Sequence, residues 1–302
     1  MRILRTIFAV MLAPVALLEP VGGQQLRFQA GVSRVTLAVV VRDSRGRPVK
    51  GLSAGDFDVR DQGVSRPITD FRNENSSVSV AILTDTSGSM RVGPKLDRLN
   101  EFAEYFFRAL HQDKDEAALF AFERDVHVVH DFTSRLGLLR QAFASLEPFG
   151  STSLFDAIAD TAQRVEKRPG RHAVIVLTDG VDTSSRLTEP EVSGIASAIE
   201  VPVYVVAVGL PIDLSAESLA QTGVGNLEDL SRRTGGMFYT ATDVIQASLA
   251  AFDIVDDLRH QYLIGLEPSD VPGWHRLEVR MRRRVTVQAR SGYWVGDPSA
   301  LR

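Results

Sequence analysis

The 302-residue chain has no cysteine. Disulfides, thiolate metal sites, cysteine nucleophiles and lipid attachment at an N-terminal cysteine are excluded together. Nor is there a basic stripe or an interleaving of basic and aromatic residues. Lys and Arg total 34 against 38 Asp and Glu, a formal charge of −4 spread without long blocks of one sign. The dense basic cluster Arg280, Arg282, Arg283 and Arg284 is short and reads as a solvated strand end or turn, so no nucleic-acid partner is expected. After the first two dozen residues no apolar run approaches the roughly 20 residues of a spanning helix. A Gly-x-Ser-x-Gly elbow and a Walker loop are missing as well. What is present, 44% hydrophobic and 24% charged residues, is the composition of an ordinary folded domain or two.

The N-terminus differs from the rest. "MRILR" is basic, "TIFAVMLAPVALL" is apolar, and "EPVGGQQ" follows with small residues, the order of a secretory signal peptide. The expectation is a leader at residues 1–23, cleaved near Gly23, and an exported protein, periplasmic or secreted. An uncleaved N-terminal anchor is the alternative. Export without disulfides leaves stability to the core and to any bound ion.

Residues 26–75 read as a β segment. "RVTLAVVVRD" carries β-branched residues, and "DFDVRDQGVSRPITDF" predicts two short strands around the Gln62-Gly63 turn. From Val78 the pattern changes: apolar runs alternate with amphipathic stretches through to residue 258. "VAIL", "AVIVL" and "VYVVAV" are nearly continuous apolar runs, as in strands covered on both faces, while Leu96, Leu99, Phe102, Phe106 and Leu110 mark one helix face. Further helices are expected at 190–199 and 243–259. This alternation predicts a doubly wound, mostly parallel α/β sheet flanked by helices. Residues 260–296 return to strands in "QYLIGLEP", "HRLEVRM" and "RVTVQARSGYW". Each flank has too few strands for a stable sheet of its own. Residues 26–75 and 260–296 are therefore expected to pair around the inserted unit at 76–258.

The chemistry gathers at strand ends. Asp85 closes "SVAILTD" and is followed by Ser87 and Ser89; Asp179 closes "HAVIVLTD"; Thr152 lies in a Gly-Ser-Thr loop just before a helix. In an open parallel sheet, ligands bind outside the carboxyl ends of the strands. All five side chains are oxygen donors. Two carboxylates with neutral hydroxyls suit a hard octahedral cation, Mg²⁺ first, with Mn²⁺ or Ca²⁺ as alternatives. So few charges leave a coordination position for water or an incoming carboxylate.

"DTSGSM" resembles the Asp-x-Ser-x-Ser loop of von Willebrand factor type A (VWFA) domains, where it forms the metal-ion-dependent adhesion site. Thr152 in "GSTSLFDAI" and Asp179 in "LTDG" are similar to that site's remaining threonine and aspartate. The resemblance covers roughly residues 76–258 and implies a Rossmann-like fold and a recognition role without catalysis. By the same resemblance Ser87 and Ser89 ligate Mg²⁺ directly, Thr152 does so in a high-affinity state, and Asp85 and Asp179 act directly or through water. A protein partner's Asp or Glu completes the shell. The flanks are similar to those of an exported bacterial VWFA-related subgroup.

Other candidates carry less. Asp156 is expected to orient a backbone group or loop, Asp160 to lie on an exposed helix face, and Arg91, Phe149 and Asp182 to ring the site. His127 and His130, three apart on a strand, point to opposite faces and cannot chelate one ion without a bulge. Lys95 is the lysine closest to the site. Two further functional classes stand beside recognition: a scaffold with a structural ion, and a metal-dependent hydrolase.

Overall fold

A computed structural model describes residues 34–73, 76–148, 150–168, 170–198, 200–209 and 224–296. The expected signal peptide and Phe149 lie outside these residues. The chain opens with four strands, β1 (Val35–Arg42), β2 (Phe57–Asp61), β3 (Val64–Arg66) and β4 (Ile68–Arg72). Gln62 and Gly63 both take positive φ, the type I′ geometry that joins two twisted strands in a tight hairpin. The stretch after this turn holds two strands where the sequence predicts one. Pro67, which cannot donate to a ladder, separates β3 from β4 and sends them into different sheets.

The central unit comprises β5 (Val78–Asp85), α1 (Lys95–Ala109), β6 (Glu116–Phe122), β7 (Val126–Thr133), α2 (Leu136–Ala144), α3 (Leu154–Glu166), β8 (Arg171–Thr178), α4 (Glu189–Ala198), β9 (Val203–Val208), α5 (Val224–Thr234), β10 (Phe238–Ala241) and α6 (Val244–His260). Its sheet runs β10-β9-β8-β5-β6-β7, parallel throughout except for β7. The apolar strands are covered on both faces, which is why they read as continuous runs. Val80 and Ile82 point toward α1, α2 and α6, meeting Leu99, Phe102, Leu139 and Ile254. Ala81 and Leu83 point the other way, toward Ile158, Val165 and Leu227. Each large side chain so buried contributes roughly 1.5–3 kcal/mol. The chain passes from β5 to one side through β6 and returns on the other at β8. A crevice therefore opens between the carboxyl ends of β5 and β8.

Strands β11 (Tyr262–Leu266), β12 (Gly273–Met281), β13 (Thr286–Gln288) and β14 (Gly292–Val295) complete the described chain. β11 pairs antiparallel with β1, and β12 with β2. The two flanks thus build common sheets, β13-β1-β11-β4 and β14-β12-β2-β3, around Leu37, Val39, Val59, Tyr262, Ile264 and Leu277. "RVTVQARSGYW" again splits where one strand is expected. Between β13 and β14 lies Arg290, buried and paired with Glu200 at 3.1 Å, so the backbone turns there to the other sheet. Arg42 at the end of β1 pairs with Asp257 of α6 and lies 3.6 Å from Asp256. These contacts fasten the β unit to the last helix. Among the described residues no helix is long and apolar enough to cross a membrane.

Candidate metal centre

Asp85 ends β5 with no solvent exposure. Its Oδ1 accepts the Ser87 amide at 2.8 Å, which folds the chain back into a turn, and its Oδ2 accepts Thr178 Oγ1 at 2.7 Å from the end of β8. Both oxygens are therefore held in place before any ligand arrives. Burial pushes the Asp85 carboxyl up from the ordinary range, and Asp179 adds to this; the bonds from Ser87 and Thr178 oppose it. A nearby cation would favour the charged form and oppose the effect of burial.

Ser87 is also buried and starts the 3₁₀ turn Gly88–Arg91. Its Oγ lies 3.0 Å from the Oγ of Ser89, so the two hydroxyls face the same space. Gly88 N–H donates to the carbonyl of Gly150 at 3.1 Å and draws the Thr152 loop against the Asp85 loop. Gly150 has φ +101°, and a Cβ there would lie 1.9 Å from Glu123 Oε2. The positive φ favours glycine here, and a side chain would also displace Glu123.

Thr152 is buried, and its loop is pinned from behind. Its carbonyl accepts the amides of Thr183 and Ser184 at 2.9 and 3.0 Å, and its own amide donates to Thr183 Oγ1 at 3.1 Å. Asp179 follows β8 and is likewise buried. Its Oδ2 accepts Lys95 Nζ at 2.8 Å, and the same ammonium donates to the Ser89 carbonyl at 3.2 Å. Asp85, Ser87, Ser89 and Asp179 thus belong to one hydrogen-bonded cluster, with Lys95 and Thr178 as its links. Thr152 reaches that cluster through Gly150.

The donor set tests the expected ion. Two buried carboxylates and paired hydroxyls, all oxygen, fit a hard divalent cation; no nitrogen or sulfur ligand competes among them. Among the described residues no group of three or more His, Cys, Asp and Glu could hold a metal. A site here depends on its hydroxyls.

The remaining candidates fall in two groups. Asp156 does orient a loop, accepting the amides of Arg186 and Leu187 at 3.2 and 2.9 Å. Asp160 pairs with Arg164 on an exposed face. Arg91 is exposed. Asp182, expected at the rim, is half-buried, and its Oδ1 accepts Leu154 N–H at 2.9 Å at the start of α3. His127 and His130 lie on the edge strand β7, whose ladder is irregular between them, but no metal-holding group forms there among the described residues.

Thr178, Gly150 and Lys95 are contributors that the sequence did not single out as part of the site. A signal existed for Thr178, since "ILTD" and "VLTD" repeat at the ends of β5 and β8. Lys95 stands six residues after Ser89 and gives no sign in the sequence of turning back toward Asp179. Gly150 is one more glycine in a polar loop until its φ and neighbour are known.

Residues 80–181 match the family model of the von Willebrand factor type A domain. An uncharacterized protein of Borreliella burgdorferi is 22% identical over 219 residues, 65% of this chain; the chain spans 64% of that relative's length. Among solved structures, an aerotolerance-related membrane protein from Bacteroides fragilis, bearing multiple mutations to serines, is 19% identical. It covers 60% of this chain and 98% of its own, with a TM-score of 0.50. A von Willebrand factor type A protein from Catenulispora acidiphila is 14% identical over 87% of this chain and 74% of its own, at a TM-score of 0.48. The chain carries a von Willebrand factor type A domain, its family match running from the middle of β5 to just past Asp179.

Proposed function

We propose that the chain is a metal-ion-dependent recognition or adhesion protein, in which a divalent cation, Mg²⁺ first, bridges to an Asp or Glu of a protein partner. Asp85, Ser87, Ser89, Thr152 and Asp179 would hold the ion, with water in the positions they leave. One observation supports this reading: the loop after Asp85 and the Gly150 loop meet at the carboxyl ends of β5 and β8, with the Ser87 and Ser89 hydroxyls 3.0 Å apart beside two buried carboxylates. The ion supplies a positive charge that a partner carboxylate can reach. The chain's own residues fix the loop geometry, shield Asp85 from solvent and keep the hydroxyls aligned.

The family is one of recognition modules, and the small number of acidic donors here fits that role better than a metal-dependent hydrolase. We place the protein outside the cytoplasm on the strength of the leader-like N-terminus, and divide it into a leader at 1–23, a VWFA unit at 76–258 and a β unit from both flanks. A scaffold with a structural ion is the second reading; it uses the same ligand set and differs in needing no partner carboxylate.

Thermal unfolding of the full chain in EDTA, Mg²⁺, Mn²⁺ and Ca²⁺, beside Asp85→Ala, tests the site. Binding to the native state raises the midpoint as ion concentration passes its dissociation constant. Stabilisation of the parent by Mg²⁺ or Mn²⁺ and not of Asp85→Ala is the expected outcome. Retention of the full response in Asp85→Ala would remove the proposal. Capture on acidic-peptide baits in Mg²⁺, lost in EDTA, then separates recognition from a purely structural ion.

A further inference from the structure

We infer that Lys95 is a built-in counter-charge that weakens the site's intrinsic hold on a divalent cation and makes ion binding depend on the partner's carboxylate. The inference rests on the metal-site reading above and adds a regulatory element to it.

Lys95 is the first residue of α1. A cation at a helix N-terminus lies at the positive end of the helix dipole, so helix stability does not account for it. Its surroundings do. The ammonium donates to Asp179 Oδ2 at 2.8 Å and to the Ser89 carbonyl at 3.2 Å, touching both halves of the site. The side chain is only 16% exposed, beside an Asp179 side chain at 3%. Its stem runs over Gly209, just past β9. A Cβ there would lie 2.5 Å from Lys95 Cε and 2.8 Å from Cγ, so the bare backbone forms the trough in which the lysine lies. Gly209 itself takes φ +68°, which favours glycine on its own account, and the lysine stem lies along the space this leaves.

The electrostatic consequence follows from counting charges at the site. Asp85 and Asp179 carry two negative charges, and Lys95 cancels one of them. Ligand charge is a main determinant of affinity for hard cations, so a site with one net negative charge holds Mg²⁺ more weakly than the same oxygens would alone. Once the ion is bound, the cluster carries one surplus positive charge, which an incoming carboxylate neutralises. Ion and partner then strengthen each other's binding, and by linkage the coupling is mutual. Without Lys95, two carboxylates would neutralise the ion, and the partner would gain correspondingly less.

The test compares the full chain with Lys95→Met, which keeps the stem and removes the charge, Lys95→Gln, and Lys95→Arg, which keeps the charge. Mg²⁺ and Mn²⁺ affinities are read by calorimetry and by the midpoint shift on thermal unfolding, with circular dichroism to establish folding. Removing a unit charge so near the ion is expected to tighten binding by about ten-fold or more in Lys95→Met and Lys95→Gln. Lys95→Arg should stay within about three-fold of the parent. An ion response that first arises in Lys95→Met also supports the inference. A parent that binds the ion, with Met and Gln variants equal or weaker, overturns it and makes Lys95 a strut for Asp179. No response in the parent or any variant removes the metal-site reading itself, and the inference with it.

Discussion

Thr178 Oγ1 donates to Asp85 Oδ2 at 2.7 Å and ties the ends of two neighbouring parallel strands through a carboxylate with no solvent exposure. Its counterpart in the sequence repeat, Thr84, has a buried hydroxyl without a partner. Replacement by valine should therefore act in opposite directions at two similar positions. Thr178→Val removes a bond to a buried acid and should cost about 1.5–3 kcal/mol, whereas Thr84→Val should be neutral or stabilising. Denaturant midpoints of the two variants decide this, and equal losses would contradict the assigned bond.

Gly150 holds the Thr152 loop against the Asp85 loop. Gly150→Ala meets both an unfavourable φ of +101° and Glu123 Oε2. The expected result is a loss of about 1–3 kcal/mol together with a weakened Mg²⁺ response. Adding Glu123→Ala should relieve the clash and leave the backbone cost. If the double variant is no more stable than Gly150→Ala, the packing of Glu123 against this loop is not as described.

Asp257 ties the last helix to β1 through Arg42 and is buried. Burial pushes its carboxyl up to about 7; Arg42 opposes this, and Asp253 and Asp256 add to it. An unfolded aspartate titrates near 3.9. Between these values the native state binds more protons than the unfolded one, so this group makes stability fall as pH rises from about 4 to about 7 and level off above. Asp257→Asn should flatten that slope by a few degrees in melting midpoint. Superimposable pH profiles for parent and variant would show that the joint does not titrate in this window.

In the β unit, Asp61 accepts Tyr293 OH at 2.9 Å and lies 2.9 Å from His275 Nδ1 and 3.2 Å from Arg66. Asp61→Ala removes the acceptor of two buried groups, Tyr293 OH and His275 Nδ1, while the half-exposed Arg66 turns to solvent, and should cost about 1–3 kcal/mol for each buried group left unpaired. The site lies on a different sheet, so the surviving fold should keep its Mg²⁺ response. A change in ion affinity without unfolding would reveal coupling between the two units.

The alternation of apolar runs and amphipathic stretches was enough to specify the central sheet, because strands covered on both faces must be apolar throughout. Helices α1, α3 and α6 were legible from their periodicity. The strand β10, only four residues long and half-buried, carries too little pattern to be read, and α5 was passed over as well. The flanking strands were legible as strands, while their assignment to two sheets was not. Pro67 and the Arg290 corner each interrupt what looks like one run, and only packing decides which sheet receives each half.

The sequence alone determined which residues offer oxygen donors and that Asp85 and Asp179 follow strands, since hydrophobic period and turn chemistry are local. Tertiary structure decided how those donors are held. The Thr178 bond joins residues 93 apart, the Lys95 bond residues 84 apart, and the Asp182 bond residues 28 apart. No local rule sets such pairings. They arise because parallel strands, joined by helical crossovers, bring distant strand ends to one crevice, where each buried polar group must find a partner.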